Sequence, residues 1–203
     1  LPSESDLARS FGVAPVTVRE ALLALRSRGL IVTRRGRNGG SFVIEDADPL
    51  AYALAAVRES SRLALRDLGA HYAAITGAAL RMASRRADES ETQSVRRRLE
   101  RGELLEPEQQ RRLLDDALVE LVALSQSARL TREQMKLQAE FSPYLRLVAP
   151  GAEGQAAQCD QLREIIDAVE HADADAAAQL TERMVAQVID DLIALQSSSP
   201  ASP

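Results

Sequence analysis

Hydrophobic positions along the first 44 residues follow a helical period and then change to an extended one. A short helix fits Glu4–Phe11, with Ser3 as a capping residue and Gly12 ending it, because glycine tolerates the left-handed backbone past a helix. A second helix fits Pro15–Arg28, since proline suits a first helical position, and Gly29 ends it. The segment therefore begins with two short helices joined by a tight turn.

The second helix has two faces. Four apolar residues recur at helical spacing and are predicted to be buried: Val18, Ala21, Leu22 and Leu25. The others are predicted to point sideways or outward: Val16, Thr17, Arg19, Glu20 and Leu23. A helix-turn-helix places the N-terminal end of its second helix near base edges in a major groove. Thr17 and Arg19 lie close to that end, and an arginine can bind guanine or a phosphate.

After Gly29 the pattern predicts a hairpin. Leu30–Arg34 and Ser41–Ile44 are rich in β-branched and aromatic residues, and a polar, glycine-rich tip separates them. Arg34, Arg35 and Arg37 cluster on this tip. Such a wing can lie along a phosphate backbone or enter a minor groove.

Charge is distributed unevenly along the chain. Residues 1–44 contain seven arginines against three acidic residues and carry a net +4, whereas the whole chain carries −5 and the remainder therefore −9. A basic module on an acidic body indicates a nucleic-acid contact at one end of the protein. The DNA-binding module is predicted to span residues 1–44.

The rest of the chain is predicted to be helical. Residues 45–49 form an acidic, proline-containing linker, 50–196 an all-helical domain, and 197–203 a disordered tail. Candidate helices are Pro49–Arg58, Ser61–Ser84, Glu91–Arg101, Glu106–Gln126, Thr131–Val148, Glu153–His171 and Asp175–Gln196. Two apolar stripes fit core packing: Leu162, Ile165, Ile166 and Val169, then Leu180, Met184, Val188, Leu192 and Leu195. The predicted fold is mainly α: a winged helix-turn-helix followed by an antiparallel bundle of six or seven helices.

Composition limits the remaining classes of protein to which the chain could belong. The chain of 203 residues is 45% hydrophobic but only 3% aromatic, which favours helices. The single Cys159 excludes an intrachain disulfide and fits a reducing cytoplasm. No apolar run approaches the ~20 residues that span a bilayer. We expect no enzyme, because no nucleophile, base and orienting group stand at an informative spacing, and Gly36–Gly40 lies between strands rather than before a helix.

The order of motifs resembles the GntR family of bacterial transcription regulators. The matching segments are Leu1-Pro2-Ser3-Glu4, Leu7-Ala8, Gly12-Val13, Val18-Arg19-Glu20-Ala21-Leu22, Leu25, Gly29-Leu30 and the glycine before Ser41-Phe42-Val43. The resemblance implies sequence-specific binding of double-stranded DNA by a homodimer. Two recognition helices about one DNA turn (~34 Å) apart would read a near-palindromic operator.

The resemblance also defines the candidate DNA contacts. Ser5 and Ala14-Pro15 stand where the family often has arginines that touch DNA, and Gly36 matches a wing glycine. The candidate DNA-binding residues are Ser5, Val16, Thr17, Arg19, Arg35, Gly36 and Arg37. The family also has a helix before its Leu-Pro motif, which we expect to lie outside this sequence.

The helical part resembles the FadR-type subgroup of that family, with its FCD ligand-binding domain. Three patterns carry the resemblance: Leu114-Asp115-Asp116-Ala117-Leu118-Val119 through Leu121, the stripe from Leu162 to Val169 followed by Asp173, and Met184-x-x-Gln187. Most members hold a divalent metal with one aspartate and three histidines. The aspartate matches Asp115, and the histidine positions match Val119, Leu162 and Gln187.

These departures predict a protein with no metal and no other cofactor, because one carboxylate alone cannot form such a site. The two histidines, His71 and His171, do not replace a lost ligand by spacing. Asp115 then needs another hydrogen-bonding partner, for which Gln187 is a candidate.

A small organic effector, held without the metal, is expected in the helical domain. The largely apolar replacements favour an apolar ligand such as a fatty acyl, aromatic or terpenoid compound. The candidate effector-binding residues are Tyr72, Thr76, Arg81, Asp115, Gln138, Tyr144 and Gln187. The alternative is a DNA-binding dimer whose helical domain serves only dimerisation or protein contacts.

Overall fold

The computed structural model describes residues 1–27, 29–36, 39–44, 48–102 and 105–197. Its chain divides into two compact units, the first ending at Tyr52 and the second beginning at Ala53. Each unit has its own hydrophobic core. Among the described helices, none combines the length and the apolar composition needed to cross a lipid bilayer.

The first unit is a winged helix-turn-helix, as predicted. Its elements are α1 (Glu4–Phe11), α2 (Pro15–Ser27), β1 (Ile31–Arg34) and β2 (Gly40–Val43). The two strands pair antiparallel, with Ile31 opposite Val43 and Arg34 opposite Gly40. Leu30 and Ile44, which the sequence placed in strands, lie just outside them, and Arg28 lies outside the described residues.

The ends of α1 are those that the sequence predicts. The Ser3 hydroxyl oxygen accepts a hydrogen bond from the Asp6 backbone N–H at 3.2 Å, which satisfies one of the exposed donors of the first turn. Gly12 takes a left-handed conformation with φ 66° and donates its N–H to the Ala8 carbonyl. Ser3 thus fixes the start of α1, and the tight turn before α2 begins at Gly12.

A small core joins the two helices to the first strand. Ala8, Val18, Leu22 and Ile31 are buried, and Leu7 and Leu25 pack against them. The prediction for Ala21 is wrong, because this residue is exposed. It lies at one side of the stripe formed by Val18 and Leu22, where its short side chain meets no cover within the described residues.

The second unit is a helical bundle, as predicted. Its described helices are α3 (Pro49–Glu59), α4 (Arg62–Arg86), α5 (Glu89–Gly102), α6 (Pro107–Ala123), α7 (Ala128–Val148), α8 (Gly151–Glu170) and α9 (Ala174–Ser197), of which α3 begins in the first unit. The long α4 packs against α6, α7, α8 and α9. Close approach of α4 and α9 depends on Gly69, where a Cβ atom would come within 2.5 Å of Ile189 Cγ1.

Two helix ends differ from the prediction, one because of a left-handed residue and the other because of a serine cap. The helix predicted to reach Gln126 ends at Ala123, because Gln126 has a left-handed φ of 56°. The next helix begins at Ala128, one turn earlier than predicted, because the Ser127 hydroxyl accepts the Leu130 N–H and caps it.

Residues assigned to the linker and tail also need correction. Pro49, which the sequence assigned both to the linker and to the first residue of a helix, is the first residue of α3, whose start is held by the Asp48 carboxylate accepting the Leu50 N–H at 2.9 Å. Ser197 is the last residue of α9 rather than part of a disordered tail. Residues 45–47 of the expected linker and 198–203 of the expected tail lie outside the described residues.

Shortening Leu22 should destabilise the first unit. Leu22→Ala removes one of four buried side chains from a small core, and we expect a loss of about 2–3 kcal/mol in its free energy of unfolding. Leu23→Ala makes the same chemical change at a residue that is 51% exposed, and should cost less than about 0.5 kcal/mol. Urea unfolding followed by circular dichroism measures both, and equal losses would contradict this core assignment.

Candidate functional site

The N-terminal half of α2 presents an exposed surface. Val16, Thr17 and Arg19 all point to solvent, while Val18 between them is buried. The surface follows from the helical spacing that buries Val18 and Leu22 on the opposite side. The predicted base-contacting residues on α2 are therefore accessible to a ligand as large as DNA.

Arg19 is held by a residue of the preceding helix. Its Nε donates a hydrogen bond to Glu4 Oε2 at 3.1 Å, which links α2 to α1. Both side chains are substantially exposed, so this ion pair adds little to stability. It does restrict where the guanidinium points, and the Nη groups are not used in this bond. Glu4 thus orients Arg19. Sequence reasoning had named Glu4 only as part of a family motif.

The other predicted DNA contacts lie on α1 and on the wing. Ser5 is exposed on α1, with its hydroxyl 3.0 Å from that of Ser3. Arg35 and Gly36 are exposed just after β1, and Gly36 has a φ of 118° that favours glycine. Arg37 lies outside the described residues. The described candidates thus come from three elements of one basic unit.

A partly buried hydrogen-bond network is the main polar feature described in the second unit. The Asp115 carboxylate, on α6, accepts from Gln138 Nε2 at 2.6 Å and from the Ser142 hydroxyl at 2.5 Å. Gln138 Oε1 in turn accepts from the Tyr72 hydroxyl at 2.5 Å. Tyr72 is fully buried, and its ring stacks on Phe141 with a centroid distance of 4.4 Å. The network thus connects α4, α6 and α7.

Two further polar residues extend this network along α4 and α7. Thr76 and Gln134 are both fully buried. The Thr76 hydroxyl lies 2.7 Å from Gln134 Oε1 and 2.8 Å from the Tyr72 carbonyl oxygen, so it can donate to either. We name the Asp115 network as Tyr72, Thr76, Asp115, Gln134, Gln138 and Ser142.

Burial changes the protonation of this network. Desolvation raises the pKa of Asp115, although the hydrogen bonds from Ser142 and Gln138 and the charge of Arg111 oppose the shift. Burial also raises the pKa of the Tyr72 hydroxyl, so this group remains a neutral donor. The network is therefore built from neutral groups around one desolvated carboxyl.

Two spaces adjoin Asp115 and Gln138. A small inner cavity of about 40 Å³ is lined mainly by aliphatic side chains and includes Gln158, Leu162 and Met184. An outer groove of about 490 Å³ lies along α6 and α7 and includes Val119, Met135, Ser142 and Pro143. Asp115 and Gln138 line both spaces, so they separate the inner cavity from the groove.

The structure brings together only some of the predicted effector-binding residues. Tyr72, Thr76, Asp115 and Gln138 belong to one network. The pairing of Gln187 with Asp115 is wrong, because Gln187 is exposed and donates to Asp191 Oδ1 at 3.0 Å. The side chain that α9 contributes to the cavity is Met184, one turn earlier.

Arg81 and Tyr144 take other positions. Arg81 forms an ion pair with the exposed Asp175 at 3.4 Å and lines neither the inner cavity nor the outer groove. Tyr144 is half-buried against the core. Sequence reasoning missed Gln134 and Ser142, although 134, 138 and 142 have the four-residue spacing that puts polar residues on one face of a helix.

The residues around Asp115 do not fit a divalent metal. Both carboxylate oxygens already accept hydrogen bonds, and the matched positions Val119 and Leu162 are aliphatic, while Gln187 faces away. Met184 offers only a thioether, a soft ligand. Within the described ranges no three His, Cys, Asp or Glu residues converge. Zinc, manganese or nickel needs three or four converging ligands.

A winged helix-turn-helix whose second helix exposes its N-terminal half is an architecture typical of DNA-binding transcription regulators. Comparison with known proteins agrees. The sequence model described as bacterial regulatory proteins of the gntR family matches residues 1–43, and that of the FCD domain matches residues 67–187. The chain belongs to the GntR family and carries an FCD domain.

One curated relative supports this membership, and two solved structures support the fold. The chain is 32% identical to RmpR of Mycobacterium gastri, named as an HTH-type transcriptional regulator, over 100% of this chain and 78% of the relative. A GntR-family regulator from Pseudomonas syringae pv. tomato is similar in structure, with a TM-score of 0.56 and 20% identity over 96% of this chain and 78% of that one. A GntR-type regulator from Rhodococcus sp. RHA1 has a TM-score of 0.57 at 17% identity, over 95% and 86%.

Removing Arg19 should weaken operator binding. Arg19→Ala deletes an exposed guanidinium at the N-terminal half of α2, and we expect a loss of about 1–3 kcal/mol on a specific operator. Arg9→Ala is the matched control, because it removes the same charge from an exposed position in the last turn of α1. Fluorescence anisotropy at one salt concentration measures both. Equal effects would leave Arg19 with only a general charge contribution.

Stability should depend on pH through Asp115. Its pKa is raised in the folded protein, so the folded state holds this proton more tightly than the unfolded chain does. The free energy of unfolding should therefore decrease as the pH rises from the ordinary aspartate value of about 4 through the raised value. Asp115→Asn should remove this decrease, and the exposed neighbour in Asp116→Asn should retain it. Urea unfolding across this pH range checks the prediction, which fails if both variants behave alike.

Proposed function

We propose that the chain is an effector-responsive regulator whose helical domain binds a small organic molecule at the Asp115 network, without a metal ion. The observation that carries this proposal is the network itself. It places one carboxylate, two amides and three hydroxyls among buried apolar side chains, beside an inner cavity and an outer groove. Few precisely placed polar groups in an apolar surround are typical of small-molecule sites.

The chemistry of the donor set supports binding without a metal. Asp115 is already hydrogen-bonded, and the neighbouring cavity walls are aliphatic or amide groups that fit an organic ligand better than an ion. The apolar lining from Leu114, Leu118, Leu162 and Ile165 supports a ligand with a hydrocarbon part. Effector chemistry is thus set by hydrogen bonds and apolar contact.

DNA binding is proposed to occur through a homodimer. Two copies would place their α2 helices in successive major grooves of a near-palindromic operator, about 34 Å apart. On α2, Val16, Thr17 and Arg19 would face the bases, while Ser5 on α1 and the wing residues Arg35, Gly36 and Arg37 would contact the backbone. An effector that binds more tightly to one placement of the dimer's two DNA-binding modules than to another would change operator affinity, typically by about 1–3 kcal/mol.

A second function is favoured by one observation. The inner cavity of about 40 Å³ holds only a few waters, and the network around it has most of its hydrogen bonds made. Such a core also suits a helical domain that binds no small molecule and serves dimerisation or a protein partner. The two functions differ in whether the purified protein carries a ligand.

Native mass spectrometry of the full-length protein, with the denatured mass as reference, separates them. A dimer carrying an organic adduct and no metal supports the proposal, and the adduct mass begins to identify the effector. A dimer without any adduct, whose operator affinity no cell extract changes, favours the second function. About one divalent metal per subunit would contradict the metal-free site.

A further inference from the structure

The N-terminal end of α2 is an exposed apolar surface, although residues 1–44 carry a net charge of +4. Val13, Ala14, Pro15 and Val16 are all exposed, Val13 to 40% and Val16 to 56%. The first turn of α2, residues 15–18, contains no charged side chain, and Thr17 is its only polar one. Charge therefore does not account for the way in which this end of the helix meets DNA.

Val16 lies on the face of α2 that points away from the core. It stands two positions before the buried Val18, and each helical residue turns by about 100°, so the two side chains point in nearly opposite directions. Arg19 follows Val16 by three positions, a spacing that places the two on one face with their Cβ atoms about 5–6 Å apart. Val16 therefore points in the same direction as Arg19, toward the groove that α2 is proposed to enter.

The major groove of DNA offers an exposed valine one apolar partner. Guanine presents acceptors there, cytosine a donor, and adenine one of each, whereas thymine adds its C5 methyl group. A valine side chain has neither donor nor acceptor, so contact with polar base edges or phosphates would desolvate those groups without replacing their hydrogen bonds. Contact with the thymine methyl group instead removes apolar surface of both partners from water. Valine is also stiff at χ1 and loses little conformational freedom on contact.

We propose that Val16 determines operator specificity by packing on the C5 methyl group of one thymine in each half-site. This assignment rests on the DNA contact proposed for α2 and names the base that this end of the helix reads. Val16 and Arg19 are about one helical turn apart. The thymine therefore lies within about two base pairs of the position that Arg19 contacts.

The test removes the thymine methyl group and leaves the rest of the base unchanged. The full-length protein first selects its operator from a library of random-sequence duplexes. Deoxyuridine then replaces the thymidines of that operator, one symmetric pair of positions at a time. At the thymine that Val16 contacts, the exchange should weaken binding by about fourfold for each half-site, which is the effect of one buried methyl group. Fluorescence anisotropy at a constant salt concentration measures the dissociation constants.

Val16→Ala makes the matching change on the protein. It shortens an exposed side chain, so the fold should be retained. The variant should bind the thymine operator more weakly and should no longer distinguish thymidine from deoxyuridine. Leu23→Ala is the control, because Leu23 is an apolar residue of the same helix, 51% exposed and about two turns further on. This control should keep the full effect of the exchange.

A second pair of duplexes isolates the methyl group in another base. Cytosine and 5-methylcytosine at the same position, each paired with guanine, differ only by a methyl group that lies where thymine carries its own. The unaltered protein should bind the 5-methylcytosine duplex about fourfold more tightly than the cytosine duplex for each half-site. Val16→Ala should bind the two duplexes equally.

Three results would overturn the proposal. They are that no exchange of thymidine for deoxyuridine changes the affinity, that the effective exchange still acts on Val16→Ala, or that Leu23→Ala removes the effect as well. In each of these cases, an operator whose binding Arg19→Ala still weakens leaves the DNA contact of α2 intact. If the library yields no specific operator, the DNA contact proposed for α2 fails, and the role of Val16 fails with it.

Discussion

The Asp115 carboxylate imposes the main constraint on the helical unit, because it lies among apolar side chains and must be satisfied there. Asp115 is half-buried between the inner cavity and the outer groove, and its donors come from the protein: Gln138 and Ser142, both on α7. Gln138 can donate to Asp115 only with its oxygen turned the other way, which creates the acceptor for Tyr72. One buried charge thus fixes the orientation of side chains on three helices.

That constraint also limits what the unit can bind. A half-satisfied polar network is worse than an apolar core, so a ligand that breaks one of these hydrogen bonds must replace it. The two spaces beside Asp115 differ in this respect. The outer groove is reached without breaking the network, whereas the inner cavity offers an unpaired donor, Gln158 Nε2, but little volume. For the effector proposed above, we therefore expect selectivity to depend on polar complementarity more than on size.

Sequence patterns predicted the architecture well because local rules determine it. Ser3 and Gly12 fixed the ends of α1, and the apolar stripe from Leu162 to Val169 is buried as its spacing predicts. Helix ends at Gln126 and Ala128 were missed, since they depend on a left-handed residue and a serine cap that periodicity does not reveal.

The candidate site was less accessible to sequence reasoning. Gln187 was matched through a motif, yet α9 is rotated so that Met184 faces the cavity. Tyr72 and Gln138 were named from helix position, but their direct hydrogen bond joins residues 66 positions apart. Glu4 as the partner of Arg19 likewise requires two helices to be placed together. Contacts of this kind depend on how helices pack together, and the spacing of residues within one helix carries no information about that.

Pro143 lies within α7 immediately after Ser142. Proline has no backbone N–H, so the turn that carries Ser142 is joined to the turn before it by one hydrogen bond fewer than elsewhere in the helix. The helix α7 is thus less constrained at this turn, where the outer groove meets the Asp115 carboxylate. A bend of α7 at this turn would therefore move the Ser142 hydroxyl relative to the Asp115 carboxylate that accepts its hydrogen bond.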